Sequence, residues 1–364
     1  MRILLIGDYS NMHSQLARTL RSLGHSVTLL SDGSGFQRTD RDIDVSRRLP
    51  WKFGGAELYL RCRHMFRKSL HGFDIVAFQH PNFLTLKPVH LQSLLHILRN
   101  ENDRLFLTAA GTDVNYIREC LDPDSPLRYN EFRIGALPGP SAGALRQWMT
   151  PEMEAYNDLF YTQIDGAVSA LYEYHIALRR ILPAGKIHYG GIPVDVDALA
   201  PYPFPDPAQG IHLFLGRHAH RRAEKGTDIL EQAARDVCRR HSGVTLEIVE
   251  NRPYAEYVTL MKNSHIVLDQ LYSFTPATNA LIAMSRGRIA VSGAEPEYYD
   301  FIGETTNRPI VNVGPGLRST IDALDALVAD PDTLAARATA SRTFATTHNA
   351  ATTVATRFLH AWTR

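Results

Sequence analysis

Along this chain, short runs of consecutive apolar residues alternate with longer stretches in which apolar residues recur every three or four positions. Ile3 to Ile6, Val27 to Leu30, Ile75 to Phe78, Leu105 to Leu107, Ala167 to Ser169 and Ile187 to Tyr189 are such runs. Each predicts a strand buried on both faces, as in a parallel sheet. Leu16, Leu20 and Leu23 mark a helical face after the first run, and Leu91, Leu94, Leu95 and Leu98 mark another, opened by Pro88. Strand, helix and strand in succession make βαβ units. The series stops at 190–195, and residues 200–208, APYPFPDPA, read as a linker. A second alternation follows: strand 211–215, helix 228–240, strand 245–249, helix 254–263, strand 265–268, helix, strand 289–291 and a last strand at 309–313. Asp228 with Glu231 suits a capping box for the first of these helices. The tail from Pro331 is mostly helical, with Phe358, Leu359 and Trp362 available to dock.

The polar residues gather where strands end. Asp8, Tyr9, Ser10 and Asn11 follow the first strand, Gln79-His80-Pro81-Asn82 the third and Gly111-Thr112-Asp113 the fourth. In an open α/β sheet these positions share the carboxyl edge, where ligands bind. His80 and Asp113 suit acid–base or hydroxyl-accepting roles; a strand-end turn and a helix cap are their purely structural alternatives. Gly7 stands alone before Asp8, without the G-x-G-x-x-G pattern of a dinucleotide site. Residues 121–150 are rich in Pro and Gly and read as a long loop or lid.

In the second series, Gly216-Arg217 and Lys225-Gly226 bracket a loop after the first strand, where a guanidinium and an ammonium can converge on a diphosphate. His218 and His220 between them have no acidic or cysteine partner near, so they read as loop histidines and no metal site is expected. Asp269 to Phe274 forms the next crossing loop. Thr275 then reads as an N-cap and Pro276 as the first helical residue, which leaves the N–H groups of Ala277 and Thr278 facing the same edge.

Composition narrows the classes. The 364 residues carry a net charge of +1, which argues against a general nucleic-acid binder. Three widely spaced cysteines give neither a disulfide framework nor a zinc pattern, so a reducing cytoplasm is expected. Residues 38–71 are locally basic, with Trp51, Phe53, Tyr59, Leu60, Met65 and Phe66 interleaved. That pattern suits either a solvated helix with one face on the core or a peripheral contact with the inner face of an anionic membrane.

On the strength of Gly216-Arg217, Lys225-Gly226, the GIPVDVDAL segment at 191–199, Gly111-Thr112-Asp113 and LGHSVTLL at 23–30, the chain resembles a GT-B glycosyltransferase, nearest the retaining family 4. Only six of its 39 basic residues are lysine, which makes a Lys-Gly at that point more specific. The resemblance covers nearly the whole chain. It implies an α/β fold of two doubly wound, Rossmann-like domains facing across a cleft: 1–196 on the acceptor side, 197–345 on the nucleotide-sugar side, and a C-terminal helix, 346–364, docking back on the first. It implies that Arg217 and Lys225, with the helix start at Thr275, Ala277 and Thr278, bind the donor diphosphate. Asp113, His80 and the 8–11 loop would orient the acceptor. The family's two glutamates, which contact the donor sugar and ribose, fall here on Phe274 and Ile282. Ser273, Thr275, Asn279, Asp269 and Gln270 are the polar neighbours that can substitute.

The implied activity is transfer of a sugar from a nucleoside-diphosphate sugar to a glycan or lipid-linked acceptor, with retention. No metal and no cofactor beyond the donor are expected, and the setting is cell-surface polysaccharide or glycolipid assembly. A non-catalytic nucleotide- or glycan-binding scaffold is the alternative that Phe274 and Ile282 favour. A nucleotide-sugar epimerase of the same fold would need paired carboxylates, for which Asp269, Glu295 and Glu297 are the candidates.

Overall fold

The structure, a computed structural model, describes residues 1–33, 40–135, 137–217, 221–250 and 252–364, with the backbone alone at 51, 52 and 144. His218 and His220, and Arg38 of the basic stretch, lie outside the described residues. Among those described, the strands are β1 (Arg2–Ile6), β2 (Ser26–Ser31), β3 (Ile43–Asp44), β4 (Ile75–Phe78), β5 (Arg104–Ala109), β6 (Tyr129–Asn130), β7 (Arg133–Ile134), β8 (Leu137–Pro138), β9 (Gly166–Ser169), β10 (Ile187–Tyr189), β11 (Ile211–Arg217), β12 (Val244–Glu250), β13 (Ile266–Leu268), β14 (Ile289–Ser292) and β15 (Val311–Asn312).

The chain divides into two compact units. The first comprises Met1–Glu119, Ala144–Pro193 and Ala351–Arg364; the second comprises Cys120–Gly143 and Val194–Ala350. The first unit is built on a parallel sheet of order β10-β9-β5-β4-β1-β2-β3. Chain order reverses between β1 and β4, where Ile6 pairs with Phe78. Such a reversal is the switch point of a doubly wound sheet, where a crevice opens at the carboxyl ends of the strands. The strand sequences are continuous apolar runs because helices cover both faces: Leu4, Ile6, Val76, Phe78, Leu105 and Leu107 are buried in one core with Leu58, Phe66, Leu91 and Leu95. The helix Ala351–Thr363 completes this unit, with Phe358 and Trp362 buried and the Arg104 guanidinium donating to the Trp362 carbonyl at 2.6 Å.

The second unit repeats the plan in a parallel sheet of order β12-β11-β13-β14-β15, with its switch point between β11 and β13. Its core joins Leu213 and Leu215 to Leu230, Val237, Leu268, Val291 and Leu324. The Pro- and Gly-rich 121–150 stretch is not the bare loop the composition predicts. Its Tyr129–Pro138 part forms the antiparallel sheet β6-β7-β8, and Cys120–Gly143 belongs to the second unit although it precedes the linker in the chain.

Two expected helix starts differ. The helix after β11 begins at Thr227 on Gly226, which sits at φ 67° and offers no side-chain cap, so Asp228 and Glu231 form no capping box. Glu231 is drawn away by arginines, as described below. The helix predicted from Thr275 and Pro276 begins at Thr278, with Ala277 as N-cap. The reason lies in the carbonyls ahead of it. The Phe274 carbonyl accepts the Glu295 N–H at 3.0 Å and the Thr275 carbonyl accepts the Ser273 hydroxyl at 3.1 Å, so both are committed to the loop.

Candidate functional site

Each switch point gathers a set of polar residues, and the two sets differ in charge. In the first unit, β1 ends at Ile6 and the chain turns through Gly7, Asp8, Tyr9, Ser10 and Asn11 into the helix Met12–Ser22. Ser10 and Asn11 both take left-handed backbone (φ 55° and 62°), which tightens the turn. Asp8 Oδ1 accepts the N–H groups of His13 (3.0 Å) and Ser14 (3.3 Å), two donors that a helix start leaves unpaired. Asp8 is 4% exposed, and its Oδ2 has no hydrogen-bond partner. Gln79, at the end of β4, bridges the switch point: it accepts the Tyr9 N–H at 2.6 Å and donates to the Tyr9 carbonyl at 2.9 Å.

His80 and Asp113 lie beyond Gln79 and are buried. His80 Nδ1 accepts the Asn82 N–H at 2.9 Å, so Nε2 carries the proton and donates to the Thr112 carbonyl at 2.8 Å. Asp113 caps the helix Val114–Leu121 through the Tyr116 N–H (2.7 Å) and accepts the Tyr161 hydroxyl (2.6 Å). Burial raises the Asp113 carboxyl above its ordinary range and lowers the His80 imidazole, while the attraction between them opposes both shifts. Both groups are held by bonds that shape the loops around them.

In the second unit, Arg217 ends β11. Its Nε donates to Glu250 at 2.6 Å, and its Nη1 donates to Glu231. Glu231 also accepts Arg222 (3.0 Å) and Arg235 (2.9 Å). Burial works to lower the Arg217 guanidinium, and the two glutamates outweigh it and raise it. Lys225 ends the short helix Arg222–Lys225, and its carbonyl accepts the Leu271 N–H at 3.0 Å, across the switch point from β11 to the loop after β13. A glycine is required next. Gly226 has positive φ, and a Cβ there would meet the Leu271 side chain at 2.9 Å.

The loop after β13 holds the remaining predicted residues. Asp269 is buried and accepts the Asn279 amide (3.3 Å) and the Ser292 hydroxyl (3.2 Å); Asn279 in turn accepts the Tyr257 hydroxyl at 2.6 Å. Gln270 is partly exposed, whereas Ser273 and Thr275 are buried. Phe274 is 1% exposed, with the Tyr129 ring 5.0 Å away and the Arg128 guanidinium over its face at 5.0 Å. Glu295 anchors that pair, accepting Arg128 at 2.6 Å, Tyr129 at 2.5 Å and Asn312 at 3.0 Å. Ile282 is buried as well. The two positions aligned with the family's glutamates are therefore core positions here.

No protein-family model and no curated protein matches this chain. Solved structures do. Sucrose-phosphate synthase from Thermosynechococcus elongatus is 13% identical with a TM-score of 0.67, over 100% of this chain and 98% of that one. Alr3699/HepE from Anabaena, in complex with UDP and glucose, is 12% identical with a TM-score of 0.65 over 100% and 99%. A glycosyltransferase from Rickettsia africae is 12% identical with a TM-score of 0.59 over 99% and 97%. The chain has the GT-B fold.

Several residues of this GT-B chain escape sequence reasoning. Glu231 and Glu250 hold Arg217 from a helix and a neighbouring strand, and nothing in the local pattern marks either as a partner. Arg128 and Tyr129 reach the Phe274 loop from a segment far earlier in the chain. Among the described residues, no group of three or more His, Cys, Asp or Glu side chains could hold a metal ion.

Proposed function

We propose that this chain transfers a sugar from a nucleoside-diphosphate sugar to an acceptor hydroxyl, retaining the anomeric configuration and using no metal, in the assembly of a cell-surface polysaccharide or glycolipid in the cytoplasm. The observation that carries this reading is the pair of cationic residues at the switch point of the second GT-B unit, Arg217 at the end of β11 and Lys225 at the end of the helix Arg222–Lys225. The developing negative charge of the leaving diphosphate is the main electrostatic demand of such a transfer. Lys225 and Arg217 supply cations, and the N–H groups at the start of the helix Thr278–Ser285 supply donors. A diphosphate competes with Glu231 and Glu250 for Arg217. Asp269, Gln270, Ser273 and Asn279 are the polar groups of the same loop for the sugar and ribose, and Asp113, His80 and the 8–11 loop sit on the acceptor unit.

A second reading, a nucleotide- or glycan-binding protein without turnover, is favoured by Phe274, which lies buried under Tyr129 and Arg128. An epimerase is less well supplied, because Asp269, Glu295 and Glu297 are each engaged by other side chains. Thermal unfolding with UDP, GDP, ADP or CMP separates the readings. A nucleotide at about a hundredfold over its Kd adds roughly 2.7 kcal/mol of apparent stability. One nucleotide should give such a shift, and Arg217→Ala and Lys225→Ala should abolish it. A shift with no release of nucleoside diphosphate from the matching sugar donors sinks transfer and leaves nucleotide binding; no shift at all sinks transfer and nucleotide binding and leaves a glycan-binding or scaffold role.

The same proposal includes peripheral contact with the inner membrane face through residues 38–71. The helix Trp51–Lys68 buries Leu58, Cys62 and Phe66 and exposes Phe53 (75%) and Leu60 (60%) on the side that continues into His64 and Arg67. No helix among the described residues is long and apolar enough to cross a membrane. Replacing Phe53 and Leu60 by Asp should weaken sedimentation with anionic vesicles roughly fivefold or more. Equal binding of the parent protein to uncharged vesicles would remove the electrostatic half of the argument.

A further inference from the structure

The helix Thr227–Arg240 of the second unit carries one carboxylate shared by three arginines, and the sharing is uneven. Glu231 stands one turn inside this helix, with its side chain 13% exposed. Its Oε1 accepts Nε and Nη2 of Arg235, at 3.1 and 2.9 Å. Its Oε2 accepts two different guanidiniums, through Nη2 of Arg222 at 3.0 Å and Nη1 of Arg217. With Arg217 withdrawn, both oxygens of Glu231 therefore keep a cationic donor. Arg222 also has a donor in reserve, since its Nε is buried without an acceptor among the described residues. Two guanidiniums on one oxygen repel each other, which loosens the hold on either. Glu250 is placed differently. It ends the edge strand β12, its side chain is 32% exposed, and Arg217 is its one ion-pair partner among the described residues, at 2.6 Å. When that bond opens, water reaches the carboxylate. Arg217 can thus leave both glutamates without stranding a buried charge.

We propose that Glu231 and Glu250 hold Arg217 in a resting position, and that Arg235 is a positioning residue that keeps this hold weak enough to release. A diphosphate draws Arg217 away, Arg222 and Arg235 retain Glu231 between them, and Glu250 is hydrated. Affinity for the anion is then set by an exchange of partners, and not by the number of cations alone. Without Arg235 the charge of Glu231 falls on Arg217 and Arg222, so Arg217 is held harder. The assignment of a diphosphate to Arg217 rests on the transferase reading.

Calorimetric titration of the full chain with pyrophosphate tests this. Glu250→Gln should tighten binding about fivefold or more, since one carboxylate then holds Arg217 in place of two. Damage to the fold cannot produce such a gain. Arg235→Gln should weaken binding about threefold, and Arg235→Lys should stay near the parent, because a lysine four residues on still reaches Glu231. The deciding measurement combines Arg235→Gln with Glu231→Gln. An effect exerted through Glu231 shrinks to less than about 1.5-fold once that charge is gone. A full effect of Arg235→Gln in the Glu231→Gln chain would mean that the arginine acts on the anion through space, and would overturn the inference. Unchanged or weaker binding by Glu250→Gln would overturn it as well. Release of nucleoside diphosphate from UDP-, GDP- and ADP-sugars, followed in the same variants, reports on the reading beneath. Coupled pyrophosphate binding without release removes the transferase and leaves the exchange standing. Release with uncoupled binding, or with no pyrophosphate binding by any variant, removes the exchange and leaves the transferase. Neither binding nor release removes both.

Discussion

The two GT-B units place their first strand–helix crossover at the same topological point and give it opposite charge. After β1 the loop presents Asp8, whose buried carboxylate is half-satisfied; after β11 it presents Arg217 and Lys225, with Arg217 held between two glutamates. A doubly wound sheet fixes where a crevice opens and leaves the loop residues to decide what enters it. The first loop is deficient in donors and the second is supplied with them. On the proposed function that is the division of labour required, with hydroxyls on one side and a diphosphate on the other.

The largest expected effect comes from the glycine near the carboxyl end of each first strand, Gly216 one residue before the end of β11 and Gly7 just after β1. A Cβ on Gly216 would fall 2.5 Å from Tyr257 Cε2 and against its hydroxyl. The ring must move, and its hydrogen bond to Asn279 goes with it. Gly216→Ala should therefore cost about 1–3 kcal/mol in urea unfolding and should lower any nucleotide-induced shift by disturbing the start of the helix Thr278–Ser285. Gly7 has room, with its nearest neighbour Gln79 Cβ at 3.6 Å, but its φ of 85° opposes any side chain. Gly7→Ala should cost about 1 kcal/mol and leave any nucleotide-induced shift intact. If Gly216→Ala is the milder of the two, Tyr257 adapts and the second loop is less tightly built than the first.

Much of this architecture is legible in the sequence because both sheets are parallel and covered on both faces. Ile3 to Ile6, Ile75 to Phe78 and Ile266 to Leu268 are unbroken apolar runs for that reason. The switch-point loops are legible too, since polar residues after a buried strand have one edge to occupy. What escapes is whatever depends on partners distant in sequence. The helix after Thr275 starts late because Glu295 and Ser273 claim two carbonyls. Glu231 reads as half of a capping box, yet Arg217, Arg222 and Arg235 converge on it. A cavity beside Asp8 takes its apolar wall from Val45, Leu58, Phe83 and Leu84, four positions that no local pattern links. Tyr129 and Arg128 reach Phe274 only because Cys120–Gly143 folds with the second unit.

The smaller effect is a pH dependence, and it sets one buried histidine of each unit against the other. His13 lies beneath the Asp8 loop, with Nδ1 at 2.8 Å from the Gly7 carbonyl and Nε2 at 3.0 Å from Thr108 Oγ1. His265 precedes β13, and its Nδ1 accepts the His212 N–H at 3.0 Å. Burial lowers both to about 4, against the pull of Asp8 on His13 and with the help of His212 on His265. An unfolded histidine titrates near its ordinary value of about 6.5. Between these limits the unfolded chain takes up protons that the folded chain refuses, so stability is fully present above about pH 6.5 and is lost as pH falls toward 4. The urea midpoint should fall steadily from pH 7 to pH 4.5. His13→Gln and His265→Gln should each flatten that slope. Glu304 adds a separate loss at lower pH: bonds from the Asn307 N–H and His348 hold it at about 2, so its contribution fades as pH falls from about 4.5 toward 2. Asp8 is what distinguishes the two histidines: its carboxylate is the main opponent of burial at His13, whereas at His265 the carboxylate of Asp206 is the smallest of the influences on the ring. Asp8→Asn should therefore steepen the dependence attributed to His13 and leave that of His265 unchanged. An equal change in both slopes would mean that the charge of the first loop is felt across the whole chain.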